Sequence, residues 1–193
     1  MLIVGSDIIN TPILSLQTGR ELAHITRAVI NPHDLSVISY EVDGVHLDTH
    51  PSYLRTSDVR ELSRIGFIVN SSDEFLEDDD IIKFKDIYEL AFDLAGKPVL
   101  DEGRHAIGKV TDYTVEAESF VIQQLIVKRP LLKRFNDSEL LIHRSQVIEI
   151  TNDAIVITAR AEDTSALTQP ASQSFINPFR QAPQTESTRK QSV

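Results

Sequence analysis

The chain has 193 residues, 41% of them hydrophobic and 25% charged, with no cysteine and a formal charge of −10 from 19 basic and 29 acidic residues. That balance fits a folded protein of one or two domains, excludes disulfide frameworks, thiolate metal sites and cysteine nucleophiles, and argues against direct DNA binding by the chain as a whole. With 21 Ile and 15 Val against one Met and no Trp, the apolar residues favour strands over helices.

The opening Met1-Leu2-Ile3-Val4 is too short for a signal-peptide core, and no stretch approaches the roughly 18 apolar residues of a membrane span, so a cytoplasmic location is expected. Pro12-Ile13-Leu14, the turn Gly19-Arg20 and the run Leu22 to Thr26 predict strand, turn and strand. The polar turn Asn31-Pro32-His33-Asp34 leads into another apolar run, Leu35 to Val42. The next segment, His46-Leu47-Asp48-Thr49-His50, alternates possible metal ligands, and Asp43 would complete a set of four. Gly44 before it and Pro51 after it mark a loop, however, where polar residues need no special reason. No metal is therefore assigned, and a metal-dependent enzyme built on His46, Asp48 and His50 is the least favoured reading.

Tyr53 to Val69 closes the first unit with two further strands. The acidic run Asp73-Glu74 and Glu77-Asp78-Asp79-Asp80 lacks the spacing and central Gly of an EF-hand loop and reads as a solvated surface. Apolar residues at 81, 84, 88 and 91 then predict a short helical connector over residues 80–93.

The pattern then recurs. Pro98-Val99-Leu100, Gly103-Arg104 and Ile107-x-x-Val110-Thr111 follow the order of Pro12-Ile13-Leu14, Gly19-Arg20 and Leu22-x-x-Ile25-Thr26, about 85 residues later. Ser145-x-Val147-x-Glu149, finishing in Ile155-Val156-Ile157, repeats Ser57-x-Val59-x-Glu61 and Phe67-Ile68-Val69 at an offset of 88. Two units of short strands, at 1–79 and 94–160, are thus predicted, each suited to a small closed sheet without exposed edges.

Between the strands of the second unit lies Lys128-Arg129-Pro130-Leu131-Leu132-Lys133-Arg134-Phe135, which has no counterpart in the first. Its cations suit an anionic surface, and Leu131, Leu132 and Phe135 suit an apolar one, so these residues are the candidate partner-binding segment. Residues 1–94 hold 7 basic and 17 acidic residues, whereas 95–160 hold 9 of each, so all of the net charge sits in the first unit. From 161 to 193 the composition turns to Ser, Thr, Gln, Pro and Ala, and a disordered tail is expected. Within it Phe175-Ile176-Asn177-Pro178-Phe179 forms an apolar island, with Phe175, Ile176 and Phe179 as candidate docking residues.

The second unit resembles the PRC-barrel family. The resemblance rests on Leu94-Ala95-Gly96-Lys97-Pro98-Val99, the segment Gly103-Arg104-His105-Ala106-Ile107-Gly108-Lys109-Val110-Thr111-Asp112-Tyr113, the run Val121 to Val127, and Leu141-Ile142-His143-Arg144-Ser145-Gln146-Val147. The first unit has Leu22-Ala23-His24-Ile25 in place of the Gly108-Lys109 hairpin and joins the family through the internal repeat. The resemblance implies two tandem SH3-like antiparallel β-barrels, a fold shared by a domain of a ribosome-maturation factor and the soluble part of a photosynthetic reaction-centre subunit.

It implies binding or assembly and supplies no catalytic residues or cofactor. Phosphate-cradling Gly-rich loops and a Gly-x-Ser-x-Gly nucleophile turn are also missing from the sequence. The expected function is a non-enzymatic adaptor for a protein partner, with a basic ribosomal protein in ribosome or RNA-related assembly as the leading class. Peripheral attachment to a membrane complex is the alternative.

Overall fold

A computed structural model of the chain describes residues 1–45, 47, 50–76, 92–129 and 139–158. The elements are β1 (Leu2–Val4), α1 (Gly5–Ile8), β2 (Pro12–Ser15), β3 (Glu21–Asn31), β4 (Ser36–Asp43), β5 (Ser52–Arg55), β6 (Glu61–Ser63), β7 (Gly66–Val69), β8 (Phe75–Leu76), β9 (Pro98–Leu100), β10 (Ala106–Glu116), β11 (Ile122–Lys128), β12 (Glu139–His143), β13 (Val147–Ile150) and β14 (Ile155–Ile157). The protein is mostly β, as the β-branched composition predicts. Of the connector over 80–93 only Phe92 and Asp93 are among the described residues, with Phe92 buried beneath the Lys97 ammonium, 4.7 Å from the ring centre, and the tail over 161–193 lies outside them.

Two sheets form. The first runs β6-β7-β2-β3-β4-β5-β8 and the second β12-β11-β10-β9-β14-β13, with β1 on the far half of β10. Each contains one parallel pair, β2 with β7 and β9 with β14, and is otherwise antiparallel. Alternation drives the burial: in β12, Leu140 and Ile142 point inward while Glu139, Leu141 and His143 are exposed. Among the described residues neither sheet closes on itself, for the strand order ends at β6 and β8 in one and at β12 and β13 in the other.

The two halves share their irregularities as well as their strands. Bulges interrupt the β3–β4 pairing between Ile25 and Arg27 and again between Val29 and Ile30; in β10–β11 they fall between Val110 and Asp112 and between Thr114 and Val115, 85 residues later in both cases. A 3-10 turn follows β5 at Thr56–Asp58 and β12 at Arg144–Gln146, 88 residues apart. An extra residue on one strand increases local twist, so equal bulges give the long hairpins equal curvature.

The halves are joined through their hairpin tips. Leu35 and Phe120 occupy equivalent turn positions and both are left-handed, at φ 56° and 55°. Their amides donate to Asn31 and Glu116 at 3.0 and 2.8 Å. The tips then exchange bonds: the Val37 amide donates to the Phe120 carbonyl and the Ile122 amide to the Leu35 carbonyl, both at 2.8 Å, with Ser36 and Val121 bridged between them. Each residue meets the counterpart of its own partner, which is the signature of an approximate two-fold axis.

Further contacts cross the same junction. Leu2–Val4, which open the first unit in the sequence, pair with Thr114 to Glu116 of the second sheet. The Ser6 amide donates to Asp112 Oδ1 at 3.2 Å, and the Arg144 guanidinium donates to the Asp34 carbonyl at 2.8 Å. Beneath them Tyr40, Phe67 and Phe120 form an aromatic cluster with centroid separations of 5.1 to 6.2 Å. A continuous core runs from Ile13 and Ile25 to Leu125 and Ile155.

Candidate partner-binding site

The β9-β10-β11 surface carries a hollow of about 610 Å³. Gly108 and Val110 lie buried in its wall, Pro98 and Ala106 add apolar surface, and Lys109, Thr111, Lys128 and Arg129 line it almost wholly with the apolar parts of their chains. Gly108 is required by contact rather than by flexibility. A Cβ there would stand 2.4 Å from the Lys128 carbonyl oxygen and 2.8 Å from Val127 Cγ1, so only glycine lets β11 approach this closely.

That approach places Lys109 directly opposite Lys128 in the β10–β11 ladder. Cross-strand neighbours have Cβ atoms about 5 Å apart, and two like charges in that position oppose pairing. Both side chains are exposed, and among the described residues neither ammonium is held by a carboxylate. Glu139 stands opposite Lys128 on β12, yet no ion pair joins them. Arg129 continues the cationic edge into the basic segment. The arrangement combines an apolar recess with positive charge at its edge.

Of the sequence-predicted binding residues, Lys128 and Arg129 are therefore brought to the hollow; Leu131, Leu132, Lys133, Arg134 and Phe135 lie outside the described residues, as do Phe175, Ile176 and Phe179. Lys109 was legible only as part of the Gly-Lys hairpin, and its pairing with Lys128 depends on the ladder register. Of the possible metal ligands, His46 and Asp48 are outside the described residues. His50 Nδ1 lies 3.2 Å from Asp43 Oδ1 on an exposed surface. Among the described residues no group of three or more His, Asp or Glu is arranged to hold an ion.

The acidic Asp73 and Glu74 are used locally. Ser71 Oγ accepts the Asp73 amide, and Glu74 Oε1 accepts from Asn70 Nδ2 at 2.8 Å. Glu77, Asp78, Asp79 and Asp80 fall outside the described residues. Among the described residues no helix is long and apolar enough to cross a membrane. Comparison with protein-family models and with curated proteins yields no match.

Proposed function

We propose that this protein is a non-enzymatic tandem PRC-barrel adaptor, each repeat a small SH3-like barrel, and that its second repeat receives an acidic segment of a protein partner in the hollow beside Lys109 and Lys128. The observation that carries this reading is the cross-strand lysine pair at the edge of an apolar recess. A partner carboxylate relieves the repulsion between the ammonium groups, and an adjoining apolar side chain fills the recess, so charge and burial select the same ligand. Exposed charges at this spacing make such binding salt-sensitive.

The first repeat supplies the opposite surface. With 17 acidic against 7 basic residues in positions 1–94, it suits a basic protein. A basic ribosomal protein, in ribosome or RNA-related assembly, is the class that the PRC-barrel resemblance favours. An adaptor with faces of opposite sign can then bridge two partners.

The test is recovery of the full chain from its native cells with its partners, beside two variants. Lys109→Glu with Lys128→Glu is expected to lose the acidic partner and keep the basic one; neutralising Asp78, Asp79 and Asp80 to Asn is expected to do the reverse and to abolish co-sedimentation with small ribosomal subunits. Unchanged partners in both variants would sink the adaptor reading. Flotation of the wild-type chain with anionic vesicles at low salt, abolished by Lys133→Glu and Arg134→Glu, would instead favour the membrane-complex alternative.

A further inference from the structure

The repeats differ at one edge, and the difference predicts a second docking surface independent of the lysine hollow. In the first sheet β8 covers the outer side of β5, with Tyr53 opposite Leu76 and Leu54 opposite Phe75. The 88-residue offset equates β5 with β12, and so Tyr53 with Leu141 and Leu54 with Ile142. Under β8, Tyr53 is only 7% exposed, whereas Leu141 is 48% exposed. Among the described residues β12 is paired on one side alone, with β11. A regular edge strand with an exposed leucine is a ready template for an added strand.

The sequence holds a matching segment. β8 begins six residues beyond the end of β7, but the corresponding residues after β14 are Asp163 and Thr164, which cannot cover Leu141 with apolar surface. Twelve residues further on, Ser172-x-x-Phe175-Ile176 repeats the pattern Ser72-x-x-Phe75-Leu76. The chain from Thr158 to Phe175 reaches up to about 56 Å at roughly 3.3 Å per residue, ample to return to β12.

We propose that Phe175 and Ile176 of the tail add to the outer edge of β12 as β8 adds to β5, with Ile176 opposite Leu141 and Phe175 opposite Ile142. The tail thereby closes an edge that is otherwise open to another chain. Hydrogen exchange on the full chain tests this. In the wild type, the β12 amides that are not bonded to β11 are expected to exchange at least tenfold more slowly than in Phe175→Ser/Ile176→Ser, while β10 amides exchange alike in both and report an intact core. Phe175→Leu, which keeps an apolar side chain, retains most of the protection. Equal exchange of β12 in wild type and the double serine variant overturns the proposal. Protection that grows with protein concentration also overturns it, because the edge is then covered by a second copy rather than by its own tail.

Discussion

Phe120 joins the two halves by backbone and side chain at once, and the two roles separate by substitution. Its ring is 7% exposed and lies 6.2 Å from both Tyr40 and Phe67, edge-on to the first and stacked on the second. Its carbonyl accepts the Val37 amide, and its φ of 55° places a Cβ in the left-handed region. Phe120→Ala removes the ring but keeps the Cβ, and a buried phenylalanine truncated in this way costs about 3–5 kcal/mol. Phe120→Gly removes the Cβ together with the ring and so relieves the left-handed penalty of roughly 1–2 kcal/mol. Glycine returns about 0.5–1 kcal/mol of that through its greater freedom when unfolded. The expected order is wild type, then Gly, then Ala, with the last two separated by about 0.5–1 kcal/mol. Urea unfolding at 25 °C, with unchanged slopes, measures both gaps. An Ala variant as stable as or more stable than the Gly variant would refute the strain argument, and an Ala variant within 1 kcal/mol of wild type would refute the burial argument.

Two other predictions concern single polar groups. The Tyr40 hydroxyl is buried without a hydrogen-bond partner among the described residues, and burial, with Tyr113 close by as a lesser cause, pushes its phenol well above the usual tyrosine range. Tyr40→Phe is therefore expected to stabilise the fold by about 1 kcal/mol in the same urea experiment, and a loss of that size would expose a missed partner. Asp101 accepts the His105 amide at 2.8 Å and lies 3.1 Å from His105 Nδ1, and the backbone bond is the principal cause holding its carboxyl below the ordinary aspartate value of 3.8. Because the folded value is the lower one, this carboxylate favours folding above the unfolded value and loses that contribution as the pH falls through the folded value. A carboxyl carbon titration should retain most of the depression in His105→Ala, whose backbone donor is unchanged; a return to 3.8 would assign the effect to the imidazole instead.

Several elements were legible because their signals are local. Pro12 to Leu14, Pro98 to Leu100 and Ile155 to Ile157 are short β-branched runs bounded by turn residues, and each is a strand. The turn residues before Leu35 announced a hairpin correctly, although the strand begins one residue later because Leu35 adopts a left-handed turn. Of the candidate site, the residue types in Lys128 and Arg129 were enough to mark a cationic segment. The contribution of Lys109 was not, since nothing in its neighbourhood states which residue of β11 it will face, and a register shift of one would send it to the other side of the sheet.

The sequence by itself determined the strand-rich composition, the recurrence of one pattern, the acidic excess of the first unit and the lack of thiol chemistry, all of which follow from residue identity and short-range spacing. Tertiary structure alone decided that Leu2–Val4 pair with β10, that the Leu35 and Phe120 tips bond reciprocally, and that two lysines stand opposite each other at the edge of a hollow. The reason is physical: backbone hydrogen bonding between distant strands is indifferent to side-chain identity. Register is fixed only when bulges, turns and the shared core are satisfied together.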